Sequence, residues 1–192
     1  MKHTLLFFFY VFLISCGTPK KKENNIIGDP KPVNPETSKP EIPEGAITAD
    51  FNGDKSPFYG FVQKVDLQRG ITTVGFERKQ YPVIEIPKSY GATLDTLKMK
   101  GMDRDVLLAT VKLKDTNFNK YFLYKLQNNQ WKSVVNGFAI HKANRPDTLQ
   151  PIVVDPKDST KVIRYYSVFD MDKNSETGYK WKLLQETIPI EN

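Results

Sequence analysis

The chain has 192 residues, with 28 Lys and Arg against 22 Asp and Glu, and a net charge of +6. One cysteine and two histidines exclude an intramolecular disulfide and a histidine-rich zinc site. The mild basic excess suits a solvated surface and demands no polyanionic partner.

Lys2 and His3 open the chain, residues 5–14 form an apolar run broken only by the Tyr10 hydroxyl, and Leu13-Ile14-Ser15-Cys16 closes it. A spanning helix needs about 20 apolar residues, roughly twice this run. Ser15 is the small residue that a signal-peptide cleavage site takes.

The tetrapeptide 13–16 matches all four positions of a lipobox, so residues 1–16 resemble the precursor segment of bacterial lipoproteins. The resemblance implies a signal peptide over 1–15, cut before Cys16, with diacylglycerol on the Cys16 thiol and an N-acyl chain (palmitate-type) on its new amino group. Each buried CH₂ contributes about 0.8 kcal/mol, so several chains together hold a protein to a bilayer. Gly17 stands where the familiar sorting scheme puts Asp for inner-membrane retention, which implies the outer membrane and leaves the face open. An exported, lipid-anchored chain is not expected to meet nucleic acid.

Residues 16–45 read as the lipidated cysteine and a tether. Six of the 13 prolines fall at 19, 30, 32, 35, 40 and 43, Lys20-Lys21-Lys22 lie among small polar residues, and no apolar periodicity is present. Such a stretch buries too little surface to offset its ordering entropy. In polyproline II it would reach on the order of 90 Å.

Residues 46–192 are expected to form one domain, mostly β: a single antiparallel β domain built as a sandwich, a barrel or propeller-like blades. Residues 61–67 are rich in β-branched and aromatic side chains and stop at Arg69-Gly70. Residues 72–76 and 81–86 follow, and Pro82 and Pro87 mark the latter as an edge strand. Residues 93–100, closed by Gly101, predict the one helix. Residues 106–113 alternate, with Val111 and Leu113 on one face and Lys112 and Lys114 on the other. Residues 120–126 and 131–135 flank Gln127-Asn128-Asn129-Gln130, a hairpin turn. Residues 138–141, 150–154, 162–169 and 179–187 complete the strands, with 162–169 apolar on both faces and therefore central.

Oxygen-bearing side chains recur at Asp50, Asn52, Asp54 and Ser56. That spacing lets a tight loop turn several oxygens toward one hard cation such as Ca²⁺. The pattern resembles the calcium loop of FG-GAP or VCBS propeller repeats. The resemblance implies ligands at Asp50, Asn52 and Asp54, while Lys55 replaces the usual Gly and Phe58 the last Asp. Without a cation the same residues suit a β-turn whose side chains cap their own backbone. Asp170, Asp172, Asn174 and Glu176 repeat the alternation more loosely in what reads as a hairpin loop.

Tyr121, Phe122, Tyr124, Tyr165, Tyr166, Phe169, Tyr179 and Trp181 concentrate aromatic surface in the later strands. On 179–187, Tyr179, Trp181 and Leu183 share one face and Lys180 and Lys182 the other. Core packing is the default for that face, and a platform for a sugar ring or an apolar peptide is the alternative.

Catalysis is not expected. His141 is the only histidine beyond the signal segment, it sits at a strand end suited to capping, and no Gly-x-Ser-x-Gly elbow is present. The sequence therefore points to a membrane-anchored envelope protein acting as a non-catalytic binding or interaction module for an envelope protein or glycan. A structural or assembly subunit of an envelope complex, or an immunity-type inhibitor, is the alternative, with a hydrolase behind both.

Overall fold

The computed structural model describes residues 41–190. The signal segment, Cys16 and the tether up to residue 40 lie outside the described residues. Eleven strands follow in order: β1 (Ile47–Ala49), β2 (Phe58–Asp66), β3 (Ile71–Phe76), β4 (Ile84–Pro87), β5 (Ala92–Lys98), β6 (Asp105–Lys112), β7 (Phe118–Gln127), β8 (Gln130–His141), β9 (Ile152–Val154), β10 (Lys161–Met171) and β11 (Tyr179–Pro189). One 3₁₀ turn, Lys142–Asn144, follows β8.

The strands form three antiparallel sheets, each a run of sequence neighbours: β1-β2-β3-β4, β5-β6-β7-β8 and β9-β10-β11. The sheets are open, so the all-antiparallel β expectation holds and a barrel does not. The middle sheet is covered on both faces. Toward the first sheet it sends Leu107, Ala109, Val111 and Leu126 to meet Phe58, Val74, Phe76 and Ile86. Toward the third it sends Val106, Leu108, Leu123 and Ile140 to meet Ile152 and Val162. This arrangement explains why β6 reads Val106-Leu107-Leu108-Ala109 without a polar break: successive side chains point to opposite faces, and both faces are core.

The same two-sided burial overturns the helix expected at 93–100. Residues Ala92–Lys98 are β5, paired antiparallel with β6. Leu94 packs into the core shared with the first sheet and Leu97 into the core shared with the third. A three-residue spacing of leucines imitates a helical stripe, but in a strand it serves two faces. Gly101 closes a β-turn in which the Met102 N–H bonds the Met99 carbonyl at 3.1 Å. Its φ of +88° is the left-handed value a turn asks of glycine.

Other segments differ from expectation in their limits. The strand expected at 81–86 is regular only over Ile84–Pro87, at the edge of its sheet, because Tyr81 belongs to a turn closed on Arg78. Residues 131–135 and 138–141 belong to the single strand β8, whose register against β7 shifts twice, between Tyr121 and Leu123 and between Leu123 and Tyr124. Gly137 lies at the first shift, where a Cβ would come within 2.6 Å of the Phe122 ring. The Asn128-Asn129 hairpin is present with both residues at positive φ, +52° and +57°, as a two-residue turn with right-handed twist requires.

Candidate functional site

Two regions carry side chains with something to do beyond packing. The first is the loop after β1. Phe51, fully buried, is its plug: its ring meets Phe58 at 5.3 Å, Trp131 at 5.6 Å and Phe76 at 6.2 Å, all edge to face. With Phe51 turned inward, its neighbours Asp50 and Asn52 can turn to the loop itself.

Asp50 accepts the Gly53 N–H on Oδ1 at 2.9 Å and the Lys55 N–H on Oδ2 at 3.0 Å. Asp54 accepts the Ser56 N–H on Oδ1 at 2.7 Å. Its Oδ2 takes the Asn52 amide at 2.7 Å and an Arg78 guanidinium N–H at 3.0 Å. Asn52 donates also to the Tyr81 hydroxyl at 3.0 Å, and Arg78 reaches the Ser56 carbonyl at 2.7 Å. The Asn52 amide, the Ser56 N–H and Arg78 hold the Asp54 carboxyl below the usual carboxylate range.

The sequence therefore brings Asp50, Asn52, Asp54 and Ser56 together in one tight turn, with their bonds running mainly to backbone N–H groups. Lys55 takes the left-handed φ of +64° at the position where the resembling calcium loops carry glycine. The Arg78 guanidinium supplies positive charge at the outer carboxylate, and nothing local in the sequence marks a residue 24 positions away. No group of three or more His, Cys, Asp or Glu placed to hold a metal occurs among the described residues.

The looser group in the β10–β11 turn behaves alike. Asp172 accepts the Asn174 N–H at 3.0 Å and pairs with Lys180 at 2.9 Å. The Lys180 bond, more than any other cause, lowers the Asp172 carboxyl.

The second region is the far end of the β10–β11 hairpin. Cross-strand pairs Met171–Tyr179 and Phe169–Trp181 share one face there. Phe169 stacks on Tyr179 at 4.6 Å and meets the Trp181 edge at 5.6 Å. Trp181 continues inward to Phe118 at 4.9 Å and stacks on His141 at 5.2 Å. Inside this row the rings are half-buried; outside it Phe169 is 54% and Met171 76% exposed. The remaining large apolar side chains exposed among the described residues, such as Leu67 and Val83, lie away from this end.

The two hydroxyls nearest the tip are spent. Ser175 shares its hydroxyl proton between the Tyr179 and Asp172 carbonyls, at 2.9 and 3.0 Å, and Thr177 donates to the Tyr179 carbonyl at 3.0 Å. The sequence placed Tyr179 and Trp181 on one face correctly, but Met171 and Phe118 carried no signal because the pairing that gathers them is not local.

His141 caps the 3₁₀ turn, its Nδ1 accepting the Ala143 N–H at 3.2 Å. The Ser167 hydroxyl accepts the His141 backbone N–H at 2.9 Å and the Asn144 amide at 3.2 Å, and neither bond involves the imidazole.

No family model, no curated protein and no solved structure matches this chain.

Proposed function

We propose that the protein is a lipid-anchored envelope protein that acts as a non-catalytic interaction module. Its contact surface is the exposed aromatic end of the β10–β11 hairpin, and the partner is a protein. The observation that carries this reading is the clustering of Phe169, Met171 and Tyr179 on one face, continuous with Trp181. Aromatic residues and methionine are the side chains enriched at the cores of protein interfaces. A sugar would need polar groups beside the rings, and the Ser175 and Thr177 hydroxyls are already given to the backbone. The lipobox at 13–16 supports anchoring through Cys16, and a proline-rich tether would let the surface search at some distance from the bilayer.

Site-specific photocrosslinking in intact envelopes tests the surface. A photoreactive phenylalanine at Met171 is expected to capture one envelope protein, and the same probe at Val83, which is 48% exposed and isolated, none. Equal capture at both sites, or capture at neither, removes the reading. Radiolabelled palmitate entering the wild type but not Cys16→Ser is the expected result for the anchor.

A further inference from the structure

The third sheet ends on an open strand, and that strand is complementary to itself. The Asp172 N–H bonds the Gly178 carbonyl at one end of the β10–β11 ladder, and the Ile190 N–H bonds the Thr160 carbonyl at the other. Pairing between them is continuous over all of β11. By the alternation of an antiparallel ladder, even-numbered residues of β11 bond β10. The odd-numbered residues Trp181, Leu183, Gln185 and Thr187 turn their N–H and C=O groups to the outer edge. Those groups have no backbone partner among the described residues.

We propose that β11 pairs antiparallel with β11 of a second copy about a two-fold axis at Leu184, joining the two third sheets into one of six strands. Four observations meet at this register. Leu184 is the midpoint of the eleven-residue strand, so the overlap is complete. The axis sets Trp181 against Thr187 and Leu183 against Gln185, all outward-bonding residues, which closes about eight ladder hydrogen bonds. It sets Lys182 against Glu186 on both sides of the axis. Lys182 has no ion pair among the described residues, and both Arg164 contacts to Glu186 end on Oε2, at 3.1 and 2.8 Å, leaving Oε1 for a lysine.

Finally, the axis sets Tyr179 against Pro189, which has no N–H. The Tyr179 carbonyl needs none, since Ser175 and Thr177 already satisfy it. An axis moved to Lys182 would instead oppose that lysine to its own copy. Lysine on an edge strand ordinarily discourages indiscriminate pairing; here the matching glutamate admits one partner in one register.

The test is sedimentation equilibrium of the full chain in density-matched detergent. The wild type is expected at twice the chain mass. Lys182→Glu, which puts like charges together twice, is expected to weaken the dimer about tenfold or more. Adding Glu186→Lys to that variant is expected to restore it. As a second reading, Leu184→Cys is expected to form a covalent dimer on mild oxidation beyond the wild-type background, and Leu67→Cys is not. A monomeric wild type, a mass above the dimer, indifference to Lys182→Glu, or no added crosslink at Leu184→Cys each overturns the proposal.

Discussion

The loop at 50–56 and the tip of the β10–β11 hairpin are both turns after a strand, and they spend their side chains in opposite ways. The loop buries its one aromatic ring and bonds its carboxylates to its own backbone and to Arg78. The tip leaves its rings and Met171 in solvent and bonds its hydroxyls to the main chain. One is satisfied within itself; the other has satisfied its polar groups and kept apolar surface for something else. The accounting of each donor and acceptor separates a turn clasped on its own backbone from one that leaves apolar surface exposed.

The largest expected effect lies in the plug. Phe51→Ala removes a ring held by three aromatic neighbours and is expected to cost about 3–5 kcal/mol, lowering the melting temperature by roughly 10 °C or more. Phe169→Ala at the tip is expected to stay within about 0.5 kcal/mol, because an exposed side chain loses little contact. Equal losses in a thermal melt of the two variants would erase the contrast.

Next comes Asp50→Ala. It leaves the Gly53 and Lys55 N–H groups without their acceptor and is expected to cost about 1–2 kcal/mol in chemical denaturation. Smaller is the response to cation. If Arg78 provides the positive charge the loop needs, changing from EDTA to millimolar Ca²⁺ moves the melt by less than about 2 °C. A bound ion at a hundredfold its dissociation constant would add about 2.7 kcal/mol, or roughly 5–10 °C, and would make the loop a calcium site.

The finest test is pH. The folded state lowers the Asp54 carboxyl, chiefly through the Asn52 amide, and the Asp158 carboxyl to about 2, chiefly through the Thr160 hydroxyl. A depressed carboxyl contributes fully above the unfolded value, near 4, and its contribution is lost as pH falls through the folded value. Carboxyl carbon shifts are therefore expected to titrate below the ordinary carboxylate midpoint at Asp54 and near 2 at Asp158. An ordinary midpoint at Asp54 would mean that the Asn52 amide, the Ser56 N–H and Arg78 do not close on it in solution.

Much of the architecture was legible residue by residue. Alternation and turn chemistry marked most of the strands, because Asn128-Asn129 and Arg69-Gly70 punctuate them locally. β5 was misread because a strand buried on both faces loses the period of two and can imitate a helix in Leu94 and Leu97. β1 was not foreseen: three residues, Ile47–Ala49, are too few to show a period. The break expected at Asn136-Gly137 is a register shift inside β8, which only its partner strand reveals. The two regions divide the same way. The 50–56 cluster is local and could be read directly, while Arg78 and Phe118 join their groups through pairing across the sheets.

Every sheet in this domain is contiguous in sequence, each completed before the next begins. Long-range closure is therefore deferred to the stacking of finished sheets, a layout that keeps the search for each layer short. The order has a cost that falls on the middle layer. Until β9, β10 and β11 arrive, the face bearing Leu108, Leu123 and Ile140 has no cover. A chain halted after β8 would hold two sheets with one bare apolar side, the kind of intermediate that aggregates or recruits a chaperone. The last forty or so residues thus act as a lid on the assembly line, and a nascent chain becomes safe only when the final hairpin is in place.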